Sequence, residues 1–161
     1  MVKEYDRQRA VAYARKWALD NNPKFGYFGG IGGDCTNYIS QCLLAGGGVM
    51  NYNYIKGWYY KSMSDRSPSW TSVAYLQNFL VRENDEIGPF AKIVGLEDVQ
   101  LGDIIQLRQN LTHFNHSLIV TKIQGKRIYV CAHSNNALDK PLQSFNAKAY
   151  LPLKILGVKY K

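Results

Sequence analysis

Four glycines in the five positions of Gly29-Gly30-Ile31-Gly32-Gly33 exclude a stable helix or strand there, so the chain must run as a loop. Directly afterwards Tyr38, Ile39, Cys42, Leu43 and Leu44 recur at the spacing of one helical face. Asp34 stands at the junction, where a helix N-cap takes a short polar acceptor, and Cys35 becomes the first helical residue. Unpaired N–H groups and the positive end of the helix dipole then face the sulfur and favour thiolate. The same amides can hold a developing oxyanion, with Asp34 and Thr36 as flanking support. The Asp34 charge acts the other way on the thiol, so a base is needed from elsewhere. A cysteine that merely fills a core needs neither the glycine loop nor the acidic junction. The chain has no G-x-x-x-x-G-K-[ST], and no strand pattern leads into a G-x-G-x-x-G, which excludes a phosphate cradle.

At 161 residues the chain fits one domain, and 46% apolar with 20% charged residues is ordinary for a globular protein. A net charge of +8 would draw in any anionic polymer, whether nucleic acid, a membrane surface or cell wall. The basic residues are scattered and build no recognisable nucleic-acid module, so nucleic acid is not an expected partner. No apolar stretch reaches membrane-spanning length, and Lys3-Glu4-Tyr5-Asp6-Arg7 does not open a signal peptide. Three cysteines make no disulfide framework.

Residues 4 to 20 form the clearest amphipathic helix, ended by Asn21-Asn22-Pro23. The Cys35 helix follows and stops at Gly46-Gly47-Gly48. Residues 49 to 68 show no period and read as an aromatic loop, in which Tyr54, Trp58, Tyr59 and Tyr60 are candidates to line a substrate cleft. A helix is expected from about Thr71 to Arg82, capped by Ser69 or Thr71 and broken at Gly88-Pro89. From residue 90 the texture is β: Ile104 to Leu107, then His116 to Ile123, a turn at Gln124-Gly125-Lys126, a return from Arg127 to His133, and a last strand from Lys154 to Tyr160. Helices first and an antiparallel sheet after them make an α+β arrangement.

Histidine is the usual base for a thiol nucleophile, and the chain has three. His113 lies in a polar loop, His116 opens a strand and His133 closes the strand paired with it. Across the hairpin His116 and His133 should be neighbours, as a base and its orienting group would be. A zinc site from His113, His116, Cys131 and His133 ranks below this reading, since no C-x-x-C pair is present.

The chain resembles the putative amidase domains of the papain-like and NlpC/P60-like cysteine hydrolases over nearly its whole length. The likeness rests above all on Gly33-Asp34-Cys35-Thr36-Asn37-Tyr38-Ile39-Ser40-Gln41-Cys42. Tyr5-Asp6-Arg7, Ala45-Gly46-Gly47, Trp58-Tyr59-Tyr60, Trp70-Thr71, Gly102-Asp103-Ile104 and His116-Ser117-Leu118 support it. The resemblance implies a helical half carrying the nucleophile, packed on a small antiparallel sheet carrying the histidine. Cys35 matches the nucleophile and His116 the base. By analogy with the related CHAP domains, His133 or Asn135 takes the place of the third polar residue.

The expected function is hydrolysis of amide or peptide bonds in bacterial cell wall, by a monomer that needs no cofactor. A non-catalytic wall- or glycan-binding module and a Cys-His acyltransferase are the alternatives on the same scaffold. Action outside the cytoplasm is expected, with this chain as a domain of a longer exported protein.

Overall fold

The computed structural model describes residues 1–30 and 33–161, so the expected loop conformation at Ile31 and Gly32 lies outside the described residues. In chain order the elements are strand β1 (Val2–Lys3) and helices α1 (Arg7–Trp17) and α2 (Cys35–Ala45). A small hairpin of β2 (Tyr60–Ser62) and β3 (Asp65–Arg66) follows, then helices α3 (Pro68–Thr71) and α4 (Val73–Leu80). The second half supplies β4 (Gly88–Ile93), β5 (Ile104–Arg108), β6 (His116–Gln124), β7 (Arg127–Ala132), β8 (Ala137–Pro141) and β9 (Ala149–Lys159). The architecture is α+β. Its main sheet is antiparallel, in the order β1-β9-β5-β6-β7-β8, with β4 also paired to β9.

The middle strands are buried on both faces, which explains their unbroken apolar runs. Ile104, Ile119, Cys131 and Leu153 face the helices and join Ala10, Ala14, Tyr38, Ile39, Cys42 and Leu43 in one core. The alternate residues Ile105, Leu107, Leu118, Val120 and Val130 face the other way, onto Leu142 and Phe145.

Helix α1 starts at Arg7 because the Asp6 carboxylate accepts from the Arg9 amide at 3.0 Å, which removes residues 4 to 6 from the expected helix. Tyr5 turns into the core instead, its hydroxyl donating to the Gly102 carbonyl. Arg7 spans the gap from helix to sheet, donating to Asp103 at 2.7 Å and to the carbonyls of Leu101 and Ile155. Asp103 is fully buried and also accepts the backbone amides of Ile155 and Gln100. Two segments that carry the resemblance, Tyr5-Asp6-Arg7 and Gly102-Asp103, thus meet as a brace between helix and sheet.

The stretch read as an aromatic loop sends some of its aromatic side chains into the core and leaves residues 52–56 and 61–65 exposed. Trp58 is 0% exposed, its indole donating to Ser40 and packing on Trp70 and Phe79. Tyr59 is buried with its hydroxyl on Asp65, and Tyr60 accepts from the Gly26 amide beside Phe25. Helix α4 begins after Ser72, whose hydroxyl accepts from the Tyr75 amide, so the cap lies one residue beyond Thr71. Gly88, expected only to break a helix, opens β4 in the left-handed region at φ 123°.

Candidate active site

Helix α2 is the buried centre of the site. Its polar residues are inside the protein, held by α3, by α1 and by the segment around Gly26. Asn37 accepts from the Trp70 indole and donates to the Gly26 carbonyl. Ser40 donates to the Trp70 carbonyl, and Gln41 accepts from the Tyr13 hydroxyl. Buried polar groups are costly unless bonded, so these contacts fix both the rotation and the axial position of the helix.

Cys35 is the first residue of α2, as its sequence context requires. Burial pushes its thiol above the ordinary value. The Thr36 hydroxyl, 3.6 Å from the sulfur, and the backbone amides of Ser117 and Thr36 oppose that rise, while the Asp34 charge adds to it. Cys42 and Cys131 are fully buried, and burial pushes both thiols up as well.

His116 opens β6, and its ring lies 5.9 Å from that of Phe145. Burial pulls it down to about 4, so the imidazole is neutral at neutral pH. Cys35 and His116 line one open pocket of about 380 Å³, together with Gly33, Gln109, Asn115, Ser134, Asn135, Lys140, Ser144 and Phe145. Among the described residues no hydrogen bond joins His116 to Cys35 or to His133.

His133 is elsewhere, for a reason that lies in the register. Ile119 pairs with Cys131, so two residues further along His133 stands opposite Ser117 and not His116. A one-residue offset in a strand reverses the face, and His133 points to the helices while His116 points toward Phe145. Both nitrogens of His133 are engaged, Nδ1 with Asp34 and Nε2 with the Trp17 carbonyl, each at 2.6 Å. Among the described residues, the partners of His133 are Asp34 and Trp17 rather than His116. Asn135 is the one of the two candidate third residues that borders the pocket, on a turn where Ser134 and Asn135 both have positive φ. Such a pair suits a type I′ hairpin turn, here joining β7 to β8.

Asp34 occupies the N-cap position of α2, but its carboxylate makes no capping bond. It accepts instead from the Phe28 amide and the Asn37 side chain, with its second oxygen on His133. The cleft candidates do not reach the pocket. Trp58 and Tyr59 are core residues, Tyr60 is half-buried beside Phe25, and Tyr54 is 60% exposed without bordering the pocket. His113 sits exposed on its loop, with Nδ1 on the Thr112 hydroxyl. No three His, Cys, Asp or Glu side chains among the described residues group as metal ligands. No helix of the described residues is long and apolar enough to cross a membrane.

The sequence did not point to Gln109, Asn115, Lys140, Ser144 or Phe145 as pocket residues. They come from the loop after β5 and from the end of β8 with the turn beyond it. An S-N-N run after a strand is the one local signal of the turn that completes the wall.

A family model described as a putative amidase domain matches residues 4–155. The chain belongs to that family. It is 33% identical over 154 residues to the uncharacterized protein YhbB of Bacillus subtilis (strain 168), covering 92% of this chain and 48% of the relative. It is 31% identical over 157 residues to the uncharacterized protein YjcM of the same strain, covering 91% of this chain and 35% of the relative. The chain therefore spans about half or less of the length of these relatives. No solved structure matches it.

Proposed function

With membership of the amidase family as the premise, we propose that this domain is a cysteine-dependent amide hydrolase of the papain-like superfamily, acting on peptide bonds of the bacterial cell wall. The observation that carries this reading is the pocket shared by Cys35 at a helix start and His116 at a strand start. The resting pair is a thiol and a neutral imidazole, since burial disfavours both charged forms. As the sulfur attacks the amide carbonyl, the S–H proton passes to His116 and the S–C bond forms. Backbone amides at the start of α2 hold the oxyanion. The C–N bond then breaks as His116 returns the proton to the leaving amine. Water, deprotonated by His116, cleaves the thioester and restores the thiol.

Among the described residues Lys140 is the one charged side chain lining the pocket, so the domain favours a substrate with a carboxylate near the scissile amide. We place its action outside the cytoplasm, at the wall. Digestion of purified peptidoglycan, with mass spectrometry of the fragments, tests the assignment. New amine and carboxyl ends should appear with the native protein and not with Cys35→Ala. Equal cleavage by both proteins would refute the cysteine mechanism.

A further inference from the structure

Asp34 and His133 lie 99 positions apart in sequence and meet in the interior, each 2% exposed in its side chain. The contact is more than a pair. Asp34 Oδ1 accepts from the Phe28 amide at 2.8 Å and from Asn37 Nδ2 at 2.9 Å, while Oδ2 faces His133 Nδ1 at 2.6 Å. The backbone amide of Asp34 donates to the Ser134 hydroxyl at 2.8 Å. The His133 ring stacks on Tyr38 at 4.0 Å between centroids and 11° between planes.

Proton bookkeeping follows from these partners. The Trp17 carbonyl can only accept, so His133 Nε2 carries a hydrogen. Asp34 Oδ1 already accepts two N–H donors, so Oδ2 is the oxygen that meets His133. A carboxylate at 2.6 Å from Nδ1 then requires a hydrogen on that nitrogen too. Neither nitrogen remains to accept a proton or to orient His116.

We propose that Asp34 and His133 form a buried carboxylate–imidazolium clamp that positions Cys35, pinning the start of α2 to the β7–β8 turn and cancelling the charge that Asp34 would otherwise set beside the sulfur. His133 is accordingly a positioning residue and takes no part in proton transfer. Asp34 directly precedes the nucleophile, and its uncompensated charge would disfavour thiolate. Among the described residues His133 is the only cationic partner of Asp34. The titratable groups packed around the pair are Cys35 and Tyr38 on α2, Tyr13 on α1, and Cys131 on β7, all uncharged near neutral pH. The same bonds set the pocket wall, because the residues after His133 are Ser134 and Asn135.

The inference rests on Cys35 as the nucleophile, so its test does not use turnover. In the native protein, nitrogen chemical shifts of the His133 ring at neutral pH should show both nitrogens protonated. A neutral tautomer would overturn the clamp, whatever Cys35 does. In His133→Gln, iodoacetamide should modify Cys35 roughly tenfold more slowly at pH 7, the alkylation profile moving to higher pH as the Asp34 charge is unmasked. The double variant Asp34→Asn, His133→Gln removes both charges and should bring the profile back. A His133→Gln profile that overlays the native one would overturn the electrostatic role. If that variant does not fold, the ring shifts still decide. Loss of amide cleavage is read separately with Cys35→Ala, so failure of the hydrolase assignment and failure of the clamp remain distinct.

Discussion

Thr36 and Ser117, the residues immediately after Cys35 and His116, share a hydrogen bond of 3.1 Å between their buried hydroxyls. Gln106 extends the link, donating to the Ser117 hydroxyl at 3.3 Å and to the Val73 carbonyl at 2.9 Å. Cys35 and His116 stand on different layers of the fold, and this bond ties their backbones together. Thr36→Val keeps the shape and removes the bond. Denaturation should show a loss of about 1 kcal/mol. Amide cleavage should fall by about tenfold to a hundredfold through misplacement of the pair. Alkylation of Cys35 should also slow, because the Thr36 hydroxyl favours its thiolate.

The three cysteines should separate cleanly. Cys35→Ala is expected to abolish cleavage with little change in melting temperature, since residue 35 only has to begin a helix at the pocket. Cys42→Ala should leave cleavage in place and cost about 1 kcal/mol, as it opens a small void in the core. Activity lost with Cys42 and kept without Cys35 would move the chemistry to the other sulfur.

Burial of His116 ties stability to pH. The folded value of about 4 lies below the ordinary 6.5, so below pH 6.5 the unfolded chain takes up a proton that the native protein does not. The contribution is fully present above about pH 6.5 and is lost as the pH falls toward 4, a change on the order of 3 kcal/mol. Urea unfolding of the native protein and of His116→Gln between pH 7 and pH 4 measures it. The native protein should lose more stability over that range, and equal losses would contradict the burial of a neutral ring.

Lys140 and Trp58 test opposite sides of the pocket assignment. Lys140→Ala should raise KM for carboxylate-bearing peptides by about tenfold and leave kcat nearly unchanged, with melting unaltered because the side chain is exposed. Trp58→Phe should do the reverse. It removes the bond to Ser40 and part of a filled core at a cost of about 2 kcal/mol, with KM unchanged.

The brace at the far end of α1 offers a stability test free of chemistry. Asp103→Ala removes the carboxylate from the Arg7 guanidinium and the acceptor of two backbone amides, that of Ile155 buried, and should cost about 3 kcal/mol in denaturation experiments. Tyr5→Phe, which loses only the bond to Gly102, should cost about 1 kcal/mol.

What the sequence makes legible is what local physics decides. The start of α2 at Cys35, the end of that helix at Gly46, and the β6–β7 turn around Gly125 each follow from a few adjacent residues. The positions of Cys35 and His116 are also legible, because each lies at the terminus of a strongly patterned element. Strand β8 is not, since its five residues are short and mixed in polarity and owe their state to pairing with β7. Trp58 and Tyr59 defeat a reading by period because no repeat buries them. Contacts between segments do, with Trp58 packed on Trp70 and Phe79 and bonded to Ser40. The relation of the two histidines fails on a single register step, which decides the face and leaves no trace in composition.

The hydrogen bonds that immobilise α2 divide the pocket into two kinds of wall. Cys35 and His116 stand on elements whose every shift would break contacts deep in the protein. Gln109, Asn115, Asn135 and Ser144 stand on connecting segments near the surface, and Lys140 is an exposed residue of the edge strand β8. A change of appetite can therefore be written into the turns without disturbing the reacting atoms. Exchanging the 109–115 and 134–145 segments between domains of this family should alter what the pocket accepts while Cys35 and His116 stay in place.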